Sequence, residues 1–132
     1  MSREKQVIGE PIEINGRVLS VSRAIRAGDT VYLTGQIPMS DGVPMTQGGI
    51  VEQTIAVLDD ITKTLAEAGC SRLDVVKAMV WLRDPSDFAE FNSIYGQYFP
   101  QNPPARSAIV NELLVDVRVE IEVIAWRPLD NQ

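Results

Sequence analysis

Arg106 is the residue whose setting most suggests chemistry. In "NPPARSAIV", residues 102–110, it stands just behind Pro103 and Pro104 and at the head of a β-branched run. Each proline fixes its own φ and holds the preceding residue extended, so the guanidinium starts from a preset backbone. A planar guanidinium held this way grips a carboxylate through two parallel hydrogen bonds. A salt bridge to one of the chain's 18 acidic residues is the alternative reading. Glu120 and Glu122, in "VRVEIEVIAW", fall on one face of a strand pattern, about 7 Å apart along the backbone. Partial burial beside Ile124 and Trp126 would raise either carboxyl and suit it to act as a general base. A solvent-facing edge with Arg118 as partner is the competing account. Thr34 and Gly35, in "TGQIP", end a strand with a glycine, which lets a ligand approach the backbone closely. Asn92, beside an apolar stripe, can brace a strand or turn.

The composition narrows what these groups can do. There is no histidine, which removes Ser-His-Asp and Cys-His nucleophiles, His-based zinc sites and the His pair of many ribonucleases. The net charge of -6 and the lack of a basic run disfavour a nucleic-acid partner. No stretch approaches the roughly 18 apolar residues of a membrane span, and the opening "MSREKQVIGEP" lacks the apolar centre of a signal peptide, so a cytoplasmic protein is expected. Cys70, the lone cysteine, sits in a Gly-Cys-Ser turn and reads as a structural thiol. The 132 residues suit one domain, spanning 1–132.

The elements that must position the candidates follow from periodicity. Short strands separated by turns at Asn15-Gly16, Ala27-Gly28-Asp29 and Asp41-Gly42 are expected before residue 50, the strongest being Val31 to Gly35. Val57, Leu58, Ile61, Leu65 and Ala68 recur at helical spacing, with Gly69 as a stop and Glu52, Asp59, Asp60, Lys63 and Glu67 on a solvated face. "LDVVKAMVWL" is a strand apolar on both faces. A second helix begins near "DPSD", with Asp84 as cap and Phe88, Phe91, Tyr95 and Tyr98 as its buried stripe. Strands from Arg106 to about Asn111 and from Val117 to Trp126 complete the chain. In the last, Val117, Val119, Ile121, Val123 and Ala125 share one face. Two helices cover only one face of such a sheet, so the other is expected to meet another copy of the chain.

The stretches "AGDTVYLTGQIP", "AGCSRLDVVKAMVWLRDPSDFAEFNSIYGQYFP", "PPARS" and "VEIEVIA" together resemble the reactive-intermediate deaminase family, also called YjgF/YER057c/UK114. The match runs from about Ser22 to Ala125. This resemblance implies an α+β, chorismate-mutase-like fold: a mixed sheet with two helices on one face, assembled as a homotrimer with clefts between subunits. It implies a hydrolase that converts small 2-imino or 2-enamino acids to 2-keto acids and ammonia, with no metal or organic cofactor. By position, Arg106 would clamp the substrate carboxylate, Glu120 would be the catalytic glutamate, and Thr34, Gly35, Asn92 and Ala108 would line the cleft. Ala108 and Val21 depart from the pattern, standing where the best-known deaminases carry cysteine and, commonly, tyrosine. A non-catalytic trimeric binder of small carboxylates is the alternative, with an endoribonuclease or translation inhibitor behind it.

Overall fold

The structure is a computed structural model and describes residues 4–129. It opens with β1 (Gln6–Ile8), a strand that periodicity does not mark, followed by three hairpins. These are β2 (Glu13–Ile14) with β3 (Arg17–Val18), β4 (Ala24–Ala27) with β5 (Thr30–Leu33), and β6 (Met39–Ser40) with β7 (Val43–Pro44). The expected turns are where the chain reverses. Asn15-Gly16 and Asp41-Gly42 both take the paired positive φ of a tight two-residue hairpin, which asparagine, aspartate and glycine tolerate best.

Helix α1 (Ile50–Glu67) starts where the Glu52 carboxylate accepts the Gly49 N–H at 2.6 Å. It stops at Gly69, whose positive φ lets Gly69 N–H reach Ala66 O and Cys70 N–H reach Leu65 O, satisfying the last carbonyls. Strand β8 (Val75–Leu82) follows. A 3-10 turn over Pro85–Asp87, capped by the Asp84 carboxylate accepting from Ser86 N–H at 2.9 Å, then leads into α2 (Phe88–Tyr98). Strands β9 (Ala105–Val110) and β10 (Val119–Trp126) complete the set.

The main sheet runs β1-β4-β5-β10-β8-β9, antiparallel except for the β8–β9 pair. Both helices lie on one face. There Val119, Ile121, Val123 and Ala125 of β10 and Ala78, Val80 and Leu82 of β8 are sealed against Val57, Leu58, Ile61, Leu65 and Phe91. The fold is therefore the mixed sheet with two helices on one face that the sequence implied. The opposite face carries Tyr32, Met79, Trp81, Ile109, Ile124 and Trp126, with Tyr32, Ile109 and Trp126 each about half exposed. No element among the described residues covers this face, which also carries Glu120 and Glu122.

Three expectations are corrected. The stripe of α2 is buried only at Phe91 and Tyr95; Phe88 is exposed and Tyr98 half-buried, and Phe99 joins the core instead. The helix is short and rests on the core by its middle, so its first aromatic overhangs the sheet edge. The polar face of α1 is not simply solvated: besides the Glu52 cap, Asp59 accepts a 2.6 Å bond from the Tyr98 hydroxyl, and Asp60 is half-buried. Finally, β10 is an interior strand, not a solvent-facing edge, and Arg118 pairs with Asp87 at 3.0 Å rather than with either glutamate.

Candidate active site

Register decides how the candidates relate. Arg106 pairs with Ala78, and Ala108 with Val80, so both share the helix-side face of the sheet. Glu120 pairs with Trp81 and Glu122 with Met79, on the opposite face. Alternation along β8 thus sends Arg106 and Glu120 in opposite directions from one protomer.

Arg106 lies on the edge strand β9 beside the overhanging start of α2. Its Nη1 donates to Asn92 Oδ1 at 2.8 Å, and its guanidinium carbon lies 4.7 Å from the Tyr95 ring centre and 5.7 Å from that of Phe88. Phe88, Asn92 and Tyr95 fall at helical spacing of four and three, which places them on one face of α2. From sequence Phe88 and Tyr95 read as core; their spacing about Asn92 is the signal of a cradle. Among the described residues no carboxylate comes within ion-pair distance of Arg106, and its Nε and Nη2 make no hydrogen bond. The salt-bridge reading therefore fails within the protomer, and the edge of the guanidinium suited to a carboxylate is open. Tyr95 is buried, its hydroxyl has no hydrogen-bond partner among the described residues, and burial pushes its phenol up.

Glu120 occupies the other half of the arrangement. Gln36 pairs its backbone with Ile121 in both directions, at 2.8 and 3.0 Å, which brings the Thr34-Gly35 segment against β10. A Cβ at residue 35 would meet Glu120 Oε2 at 2.5 Å. The absence of a Cβ at Gly35 thus lets the carboxylate lie directly over it, while its φ asks for nothing special. Thr34 is held in place by donating its hydroxyl to Ser22 O. Burial first, and then the like charge of Glu122, push the Glu120 carboxyl above the usual carboxylate range. No group among the described residues donates a hydrogen bond to it.

Thr34, Gly35 and Glu120 line a cavity of about 330 Å³, with Val21 on its wall. The loop at Leu114 and Val115 and the β2–β3 hairpin also line it; the Asn15-Gly16 turn of the hairpin is expected from sequence, but the place of either segment at the cavity is not. Arg106, Asn92 and Ala108 do not reach it. Among the described residues no group of acidic or cysteine side chains is arranged to hold a metal ion, and no helix is long and apolar enough to cross a membrane. Cys70 is buried, and its thiol is pushed up chiefly by desolvation, as suits a structural role.

The family model described as Endoribonuclease L-PSP matches residues 18–127. A RutC family protein of Pyrococcus abyssi is 43% identical over 108 residues, covering 80% of this chain and 85% of the relative. The chain belongs to the YjgF/Rid family. The 2-iminobutanoate/2-iminopropanoate deaminase of goat (Capra hircus) is 42% identical over 106 residues, covering 79% of this chain and 77% of its own. The crystal structure of yeast Mmf1 superposes with a TM-score of 0.85 at 36% identity, covering 94% of this chain and 99% of that one. The mixed sheet and helix pair described above are thus the Rid-family fold.

Proposed function

We propose that the protein hydrolyses small 2-imino acids, and their 2-enamino tautomers, to 2-keto acids and ammonia in a cleft shared by two protomers of a homotrimer. The observation that carries this reading is the opposed placement of Arg106 and Glu120. Each is a chemically complete half of a site: an open guanidinium edge on one side, an unpartnered, raised carboxyl above a glycine on the other. They can meet only if the Arg106 edge of one copy approaches the Glu120 cavity of another, and the uncovered apolar sheet face supplies a surface for that contact. A face meeting a different face in each neighbour closes naturally into a ring. The goat deaminase relative supports the reaction class.

The chemistry suits a site without histidine. A protonated imine is already electrophilic at C2, so orientation and proton transfer suffice. Arg106 holds the substrate carboxylate. Water attacks C2 while Glu120 takes its proton, and the same carboxyl returns that proton to the nitrogen of the resulting carbinolamine. The C–N bond then breaks, the hydroxyl proton leaves with the nitrogen, and the products are a 2-keto acid and ammonium. A carboxylate raised above its ordinary range is a stronger base, and its two protonation states lie closer in energy near neutrality, which suits a group that must both take and return a proton.

The test follows imine loss, with imines generated in situ by an amino-acid oxidase. Arg106→Ala and Glu120→Gln are each expected to lose most activity. Unfolded together and refolded as a one-to-one mixture, they regain about a quarter of it, because random assembly makes about a quarter of the clefts intact at both positions. Full activity in Arg106→Ala overturns the reaction, and no recovery in the mixture overturns the shared cleft. Saturable binding of 2-keto acids without turnover selects the binding module instead.

A further inference from the structure

The cavity against Glu120 is larger and more apolar than a methyl or ethyl group needs. Leu19 and Val21 border it from the approach to β4, Ile14 from the β2–β3 hairpin, Ile37 from beyond Gly35, and Leu114 from the loop before β10. The hairpin is pinned over it by the Leu19 N–H donating to Ile12 O at 2.9 Å. Besides Glu120, its charged groups are Glu13, Arg23 and Asp60. Glu13, Arg23 and Asp60 also line the adjacent surface cavity, which places these charges where the two cavities adjoin. At about 330 Å³ the space lies within the range of small-molecule sites. Val21 and Leu114 are exposed enough to be reached by a ligand, Leu114 fully so.

We propose that this cavity is the side-chain subsite of the substrate and selects 2-imino acids with an extended apolar side chain of about four carbons over those with one or two. The inference rests on the imine-deaminase reading. With the substrate carboxylate on Arg106 of one copy and C2 before Glu120 of the next, the remaining substituent on C2 enters the space bounded by Gly35 and Val21. A methyl group would leave most of that space to water against an apolar wall. A butyl chain replaces the water and buries its methylenes. Each buried methylene is worth about 0.8 kcal/mol, or about fourfold in kcat/KM.

The experiment compares imines formed in situ from alanine, 2-aminobutanoate, norvaline, norleucine and glutamine, the last a polar chain of similar length. Imine loss is followed by trapping as the semicarbazone. The expected result is a rise in kcat/KM from alanine to norleucine of about fourfold per methylene, with the glutamine-derived imine well below norleucine. Val21→Phe, which intrudes on the cavity from an exposed position, is expected to lower the norleucine value at least tenfold more than the alanine value. Highest kcat/KM for the alanine- or 2-aminobutanoate-derived imine, or equal losses for both substrates in Val21→Phe, overturns the subsite while leaving the deaminase intact. No acceleration of any imine overturns both.

Discussion

Gly35→Ala separates a packing defect from a catalytic one. The added Cβ would sit 2.5 Å from Glu120 Oε2, against an ordinary contact of about 3.4 Å, so the carboxylate must withdraw by about 1 Å. That oxygen is the far end of a flexible side chain and Gly35 needs no positive φ, so the fold yields cheaply. The expected cost is below about 1 kcal/mol, a shift in thermal midpoint within about 5 °C. For a carboxylate that must meet a water and a nitrogen in turn, the same 1 Å is severe. Misplacement on that scale costs on the order of 100-fold in rate, about 2.7 kcal/mol. The assay is kcat for imine loss beside a thermal melt on the same sample. Wild-type kcat and an unchanged melt in the Gly35→Ala variant would refute the placement of Glu120 over Gly35 as the working carboxylate.

Two further outcomes follow from the neighbouring geometry. Replacing Tyr95 by leucine removes one aromatic face beneath Arg106, worth about 0.5–2 kcal/mol, and is expected to raise KM about two- to thirtyfold with little change in kcat. Tyr95→Phe keeps the face and discards a hydroxyl that has no partner, so its KM should match wild type and its melt should be no lower; a KM increase equal to that of the leucine variant would discount the ring contact. Glu120→Gln tests the burial of the carboxyl by pH-dependent melts. A folded-state pKa raised above the unfolded one means that the protonated form is favoured by folding, so that contribution is full at low pH and lost as pH rises through the raised value. The variant should therefore melt above wild type near pH 7 and converge with it below about pH 4. A constant gap across that range would show that the group is not perturbed.

Much of the architecture could be read from the residues, because its signals are local. The Asn15-Gly16 and Asp41-Gly42 turns, the Gly69 stop, the Asp84 cap and the alternation of β10 each rest on backbone preferences within a few residues, and each is found where expected. The expected strand ends at Asn111 and Val117 run past the observed ones, since Asn111 still donates to Leu82 O while the ladder itself has ended. What stayed hidden depends on contacts distant in sequence. Phe88 is apolar and at helical spacing, and only its position over the sheet edge makes it a support for Arg106. Glu120 and Glu122 look equivalent on their strand, and only the Gln36–Ile121 bridge sets Gly35 beneath the first of them. Leu114 carries no pattern at all; its part in the cavity is fixed by how the loop before β10 folds back. The facing directions of Arg106 and Glu120 required the β8–β9 and β8–β10 registers, which hydrophobic periodicity does not supply.

The opposed directions of those two side chains also determine what dilution does if the cleft is shared as proposed. Each protomer seals the helix-side core with its own two helices but, on that proposal, would carry two unmatched halves of a catalyst. In a cleft of that kind, separating the copies would extinguish turnover, and bringing them together would restore it with no covalent event. For such a chain, abundance is itself a control: activity per molecule rises with concentration until assembly saturates, and a newly made or dispersed copy is chemically silent until it finds a neighbour.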